Sequence, residues 1–335
     1  MIKNVFLGLG PMSYEIINSI NLFSKIYDKK IMLICSRNQI EAEELGGGYV
    51  NKFNTKTFSD FIKSKKNRKL ILSRDHSGPY KKDGSKTNLL KEIEKCKISL
   101  ENDIINDFKI IHIDTSECKK LKYEIAEELI YFCNKVAKKN KKKIYFEFGC
   151  EEHGVLTSFE KFKRDINFFK KFKNRQYLVC QTGSLVKSIF QLGQFDINGV
   201  RYMKKIAENN GILLKEHNCD YLNLEQIKLR KLYGISAINI APELGVIQTN
   251  LIYNLGMQLN LKKEISNFIK LVLRKKKWVK WNYNNENNLI KFFSAGHYHY
   301  TSAQYHELKY KIIRKINYQN KLDKILESYL KKFYV

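Results

Sequence analysis

The residues Arg74, Asp75 and His76 stand one after another where the apolar run Leu70-Ile71-Leu72 gives way to Ser77-Gly78-Pro79. A turn needs only the serine, the glycine and the proline. A carboxylate next to an imidazole can move protons, and an imidazole can bind a metal ion. A guanidinium can hold a phosphate or carboxylate through two parallel contacts. Other apolar runs end in similar company: Ser36, Arg37, Asn38 and Gln39; His112, Asp114 and Ser116; Glu147 and Glu151; Gln181 and Ser184; Lys215 to Asn218 and Asp220; Asn239 and Glu243.

Each of these residues also has a plainer reading. A lone polar residue after a strand commonly caps the next helix, and Asp75 and Asp114 suit that role. His112, inside Ile-Ile-His-Ile-Asp, reads as a core histidine bonded to a neighbour. The coincidence at so many strand ends is harder to dismiss, because so much charge in one place needs opposite charge, a metal or a ligand. His76, Glu151 and His217 make a sensible divalent-metal set. Two imidazoles and a carboxylate suit Zn²⁺ and leave a position open for substrate oxygens, and Mn²⁺ also fits. The sequence has no His-Glu-x-x-His motif and no compact cysteine–histidine cluster.

Eight apolar runs position these residues, at 5–10, 31–37, 69–76, 109–116, 143–149, 176–183, 211–217 and 237–243. Between most of them lie stretches of helical period; at 120–138 the period puts Leu121, Ile125, Leu129, Phe132 and Val136 on one stripe. Stretches 84–103 and 156–173 do the same less cleanly. Near-continuous apolar strands alternating with helices predict an α/β fold, a (β/α)₈ TIM barrel over residues 1–260. Active sites of such barrels lie at the C-terminal ends of the strands, where the polar load is. Glu147 alternates with apolar neighbours, so it is expected to point into the barrel. A doubly wound sheet is the competing architecture, and Gly8-Leu-Gly10-Pro supports a dinucleotide site only weakly. Residues 261–335 read as a C-terminal extension with basic helices at 261–277 and 303–333, packed on the barrel through Trp278, Trp281, Phe292 and Phe293.

Two further stretches bear on ligands. Gln181-Thr-Gly-Ser184 offers backbone N–H groups and a hydroxyl, a candidate anion site aided by Arg37 or Arg74. Gly46-Gly-Gly48 is a loop whose backbone approaches something closely, a lid, or a flexible connector.

The 335 residues carry a net charge of +27. The lysines are spread along the whole chain, so the charge is read as favouring an anionic small molecule and not a nucleic acid. The Lys275–Trp281 stretch is the only candidate nucleic-acid element, and it reads as part of the packed extension. Seven cysteines form no Cys-x-x-Cys pair. That pattern predicts a reduced, cytoplasmic protein. The short apolar run at the N-terminus is expected to be neither signal peptide nor membrane span.

The ordered set Ser36–Asn51, Arg74–Pro79, Ile111–Ser116, Phe148–Glu151, Cys180–Gly183, Lys215–Leu222 and Asn239–Gly245, with Gly296–Ser302 in the tail, resembles the family of the non-catalytic subunit of class II D-tagatose-1,6-bisphosphate aldolase. That family also includes sugar-acid epimerase relatives. The resemblance runs from about residue 30 to about residue 260. It implies a metal-dependent aldolase or epimerase for a phosphorylated or acidic carbohydrate, working through a metal-stabilised enediolate. The alternative it implies is a non-catalytic subunit that stabilises a separate aldolase. Carried onto this chain, it makes Asp75, Glu151 and Asp220 catalytic candidates and His76, Glu151 and His217 metal ligands. Arg37, Asn38, Gln39, Arg74, Gln181, Ser184, Asn218 and Asn239 are the substrate-binding candidates, with Asp114 or Asn239 as support behind the ligands. The expected partners are an anionic carbohydrate and a second copy of the chain or an aldolase subunit, with neither membrane nor nucleic acid. Arg74 replaces a glycine usual in the family, and Gly149-Cys-Glu-Glu-His-Gly154 is a shorter loop than the family's. The substrate is therefore not bound to be tagatose 1,6-bisphosphate.

Overall fold

The computed structural model describes residues 2–82, 88–149 and 155–334. Its strands and helices alternate: β1 (Leu7–Leu9), α1 (Tyr14–Ile26), β2 (Ile31–Ser36), α2 (Thr55–Ser64), β3 (Leu70–Ser77), α3 (Leu89–Ile105), β4 (Ile110–Ile113), α4 (Lys122–Lys139), β5 (Tyr145–Phe148), α5 (Phe159–Phe169) and β6 (Arg175–Val179). A two-stranded antiparallel hairpin, β7 (Val186–Lys187) and β8 (Phe190–Gln191), follows. Then come α6 (Ile197–Asn209), β9 (Leu213–Glu216), α7 (Leu224–Tyr233), β10 (Ile235–Ile240) and α8 (Pro242–Gln258). The chain ends in α9 (Lys262–Lys275), α10 (Asn288–Ala295), α11 (Ala303–Ile313) and α12 (Tyr318–Lys331).

The sheet closes. Its order is β1-β10-β9-β6-β5-β4-β3-β2, all pairs are parallel, and Leu7 of β1 lies opposite Ile238 of β10. This is an eight-stranded (β/α)₈ barrel with additional C-terminal helices, as the spacing of apolar runs predicts. The expected helix at 303–333 is two helices, because the chain breaks between Ile313 and Tyr318. Among the described residues no helix is long and apolar enough to cross a membrane.

Strand side chains alternate between the two faces, and here both faces are buried. Outward residues such as Leu70, Leu72, Ile111, Ile113, Phe146 and Phe148 pack under the helices. Inward residues Met32, Ile34, Ile71, Ile110, Tyr177 and Ala237 form a separate apolar plug inside the barrel. Gly8 also faces inward. A methyl group there would run into the Asn239 side chain and Ile34, so only glycine fits.

The same alternation sends Arg74 outward. Its guanidinium is fully buried and forms a two-pronged pair with Asp103 of α3, at 2.7 Å and 2.5 Å. The remaining donor reaches the carbonyls of Cys35 and Ile40, at 3.0 and 2.6 Å. The expected anion clamp is thus a bolt between β2, β3 and α3. The extension closes over the barrel's flank: Leu322, Leu326 and Leu330 of α12 are buried where α12 packs on α1, and α10 packs on α8. Asp323 of α12 accepts a 2.5 Å hydrogen bond from Ser19 of α1.

Removing one partner of a buried ion pair leaves the other charge uncompensated. Arg74→Ala should therefore destabilise the protein by about 3–5 kcal/mol. Urea denaturation of the variant against the parent measures this; a loss below about 1 kcal/mol, the ceiling for an exposed pair, would contradict the assigned role.

Candidate active site

At the C-terminal mouth of the barrel, Asp75, His76, His112 and His217 offer ligand atoms that all lie within 4.8 Å of one another. Asp75 comes from β3, His112 from β4, and His217 follows directly after β9; these three face inward by the strand alternation. His76 does not obey it, since neighbouring residues should face opposite ways. The chain solves this with an irregularity. The β3–β4 register shifts between Arg74 and Ser77, and His76 has φ of 47°. A left-handed non-glycine residue costs roughly 1–3 kcal/mol and is typical of a site the surroundings hold in place. The result is that Asp75 and His76 face the same centre. Gly78 completes the bend, because a side chain there would collide with the carbonyl of Asp114.

The three imidazoles form a nearly equilateral triangle, with ring centres 5.1, 5.0 and 5.1 Å apart. The Asp75 carboxylate lies 3.8 Å from His76 Nε2, 3.7 Å from His112 Nδ1 and 3.7 Å from His217 Nδ1. The other nitrogen of each ring is tied down from outside the triangle. His76 Nδ1 is 2.8 Å from Asp114 Oδ2, His217 Nε2 is 2.6 Å from Glu147 Oε1, and His112 Nε2 is 3.2 Å from the Gly149 carbonyl. Such outer contacts fix the tautomer and turn the other ring nitrogen toward the centre, as in metal sites. His112 Nδ1 also accepts a 3.2 Å hydrogen bond from the His76 amide. The donor set, three imidazoles and a carboxylate around one point, is capable of coordinating a divalent metal ion.

Charge is balanced outward from this centre. Burial opposes ionisation of Asp75, but the His76, His217 and His112 rings outweigh it and hold its carboxyl well below the ordinary range. His76 is disfavoured as a cation by burial, yet Asp75 and Asp114 push it up to about 9 in the protein alone. Glu147, fully buried, also resists ionisation, but Lys215 and His217 bring it down to about 2. Lys215 Nζ sits 2.6 Å from Glu147 Oε2, deep in the barrel. Lys81 supports Asp114 at 3.0 Å. Asn239 Nδ2 donates to Asp75 Oδ1 at 3.2 Å.

The expected residues are distributed around this centre as follows. His76 and His217 stand in the cluster, together with Asp75. Glu151, expected as ligand and catalyst, lies outside the described residues. Asn38, Gln39, Asn218 and Asn239 line a cleft of about 1290 Å³ above the cluster. Arg37 also borders it, but its guanidinium is buried against Glu41, at 2.6 Å, and the Gly78 carbonyl, at 3.2 Å. Gln181 and Ser184 do not line the cleft. Ser184 Oγ lies 2.9 Å from both Gln181 Oε1 and the His217 carbonyl, so the pair braces the loop that carries His217. The next helix, α6, starts only at Ile197, and the β7–β8 hairpin intervenes, so no helix N-terminus adds to the Gln181–Ser184 turn. The Gly46-Gly-Gly48 loop edges the cleft, and Lys82 Nζ bonds the carbonyls of Leu45 and Gly47. Sequence reasoning did not place His112 and Lys215 in the site. Both share inward parity with recognised residues, and that parity was the signal available.

Asp220 lines the cleft but is engaged at the start of α8, where its Oδ1 accepts from the amides of Ala241 and Glu243, at 3.0 and 2.9 Å. Burial and then the Glu243 carboxylate push its carboxyl up to about 8, against those two amides. A carboxyl raised on folding binds its proton more tightly in the folded state, so stability falls as pH rises from about 4 to about 8. Asp220→Asn keeps an oxygen for the amides and removes the titration. Denaturation midpoints at pH 5 and pH 8 should drop less in Asp220→Asn than in the parent; an equal drop would rule out Asp220 as the source.

No protein-family model matches the sequence, and no curated protein does. Solved structures do match in shape. A probable tagatose 6 phosphate kinase from Sinorhizobium meliloti superposes with a TM-score of 0.78 at 14% identity, over 92% of this chain and 86% of that one. A fructuronate-tagaturonate epimerase from Cohnella laeviribosi gives 0.62 at 12% identity, over 98% and 81%. A fructose-bisphosphate aldolase from Campylobacter jejuni gives 0.57 at 12% identity, over 98% and 90%. At such identities the likeness is one of fold, and function has to be argued from the site. The chain shares the barrel fold of these three proteins and has an Asp/His cluster at its mouth.

Proposed function

We propose that this protein is a metal-dependent aldolase or epimerase acting on a phosphorylated or acidic carbohydrate, built as a barrel over residues 1–260 with an extension over 261–335. The observation that carries the reading is the Asp75 carboxylate 3.7–3.8 Å from three imidazoles whose far nitrogens are held by Asp114, Glu147 and Gly149. The fold shared with sugar aldolase and epimerase structures and the ordered motifs of the tagatose-bisphosphate aldolase subunit family support the same reading. His76 and His217 would hold the ion, with Glu151 as a further ligand candidate; the Nδ1 lone pair of His112 is taken by the His76 amide. A nitrogen-rich set suits Zn²⁺, with Mn²⁺ the second choice. When bound, the ion would polarise a carbonyl oxygen of the sugar and stabilise negative charge developing there.

The chain's own residues do the rest. Asp75 is oriented by the Asn239 amide at Oδ1, which leaves Oδ2, its other oxygen, to accept a proton. In aldol cleavage that proton leaves the sugar hydroxyl as the adjacent carbon–carbon bond breaks; in epimerisation by direct deprotonation it leaves the carbon beside the carbonyl. In re-addition the same carboxyl returns the proton to the hydroxyl that forms, and the sugar is epimerised when the carbonyl fragment presents its other face; after direct deprotonation the proton has to come back to the opposite face of the carbon. Asp114 and Glu147 fix the ring orientations, and Lys215 balances Glu147. The scaffold alternative, a subunit that only stabilises another aldolase, gives no use to this arrangement.

Ketose phosphates and sugar acids offered to the Zn²⁺- or Mn²⁺-loaded protein should yield at least one that is turned over. Asp75→Asn should keep its metal and lose about 10²- to 10⁴-fold in kcat on that compound. His217→Ala should lose metal affinity, read by metal analysis after dialysis. Parental turnover in folded Asp75→Asn, or turnover only after a separate aldolase subunit is added, would overturn the reading.

A further inference from the structure

The cleft above the cluster has a second wall made by the C-terminal extension. Lys276 ends α9 with φ of 53°, and this left-handed residue swings the chain into a short turn over Lys277–Lys280. Lys276, Lys277, Lys280 and Trp281 line the same cleft as Asp75 and His76. The turn is anchored. Trp281 Nε1 donates to the Tyr298 hydroxyl at 3.1 Å, the Trp281 carbonyl accepts from the Ser188 amide at 2.8 Å, and Trp278 Nε1 bonds the Leu273 carbonyl at 3.1 Å.

The three lysines differ from the other cations of the cleft. Lys95 is paired with Glu92, and Lys82 is bonded to loop carbonyls. Arg37 is paired with Glu41. Among the described residues no carboxylate lies within ion-pair distance of Lys276, Lys277 or Lys280; Lys280 instead stands 4.7 Å from the centre of the Trp281 ring. Lys276, Lys277 and Lys280 are exposed to solvent at the rim of the cleft. His297 also lines the cleft. Burial, then Lys280 and His299, press its imidazole down to about 3, so it stays neutral and adds no competing charge. Like charges held together without a counter-charge are relieved by an anion.

We propose that Lys276, Lys277 and Lys280 form the binding site for a phosphoryl group of the substrate, at the rim of the cleft that holds Asp75. Arg37, which borders the cleft, is consumed in its ion pair with Glu41. A phosphoryl dianion gains more from several point charges than a singly charged carboxylate does, and three lysines provide them. The proposal rests on reading the cleft as a sugar site and narrows its substrate to a phosphorylated one. It also moves the anion site from the strand ends, where the sequence suggested it, to the extension.

The two tryptophans of the chain, Trp278 and Trp281, both lie at this turn, so intrinsic fluorescence reports on it directly. Inorganic phosphate, D-fructose 6-phosphate and D-glucuronate are titrated into the full-length protein, with calorimetry giving each constant independently of the indoles. The parent should bind phosphate and the sugar phosphate saturably and more tightly than glucuronate. Lys277→Met/Lys280→Met should weaken phosphate roughly tenfold or more, and Lys280→Arg should retain it. Melting temperatures check that the variants are folded. Metal analysis of the same samples shows whether the ion is bound, so a failed metal site and a failed anion site are separately visible. Parental phosphate affinity in the double variant, no saturable binding by the parent, or preference for glucuronate would each overturn the proposal.

Discussion

Neighbouring residues on a barrel strand face opposite sides, and this constraint divides Arg74 from Asp75. The guanidinium goes out, where Asp103 and two carbonyls take four of its five N–H groups and tie β3 to α3. The carboxylate goes in, where three imidazoles surround it. Had the two charges stayed together they would have neutralised each other, and Asp75 would have no preference for a cation at the mouth. One exception to the alternation is equally necessary. The register shift and the left-handed backbone at His76 let adjacent residues share one centre.

Charge burial explains the layers beneath. Glu147 and Lys215 lie inside the barrel just below the cluster and above the apolar plug. Neither would stay charged alone in that position. Paired, they give His217 a fixed carboxylate to lean on, and Asp114 does the same for His76 with help from Lys81. The centre is thereby held by contacts that are themselves compensated, which limits how far the rings can reorient. Above it, the extension changes the character of the cleft from a strand-end site to a two-walled one. Tyr49 beside the glycine loop meets Tyr298 of the extension at 5.0 Å between ring centres, so the two walls touch.

The barrel was legible because its cause is local. Eight short apolar runs separated by helical stretches leave few ways to bury both faces of a parallel sheet. Asp75, His76 and His217 were legible for a related reason, since strand ends are where a barrel exposes chemistry. What escaped depended on direction and on distance. His112 looked like core because its neighbours are isoleucines, yet it shares parity with Ile110 and Asp114 and points where they point. Arg74 was grouped with Asp75 because it is adjacent in sequence, whereas a strand separates adjacent residues. Gln181 and Ser184 suggested an anion site from composition alone, but the β7–β8 hairpin separates them from α6. The lysines of 276–280 were assigned to a packed helix end, because nothing local reveals that a chain segment some 200 residues from Asp75 returns to its cleft.

The central claim is that the Asp75 triangle is a metal centre. X-ray absorption at the metal edge of the Zn²⁺- or Mn²⁺-loaded protein tests it most directly, because it reads the ligands themselves. The account predicts a first shell of nitrogen and oxygen at about 2.0–2.2 Å, with the outer-shell scattering of two or three imidazoles that weakens in His76→Ala and His217→Ala. A shell of oxygen alone, or imidazole scattering unchanged in both variants, would contradict it.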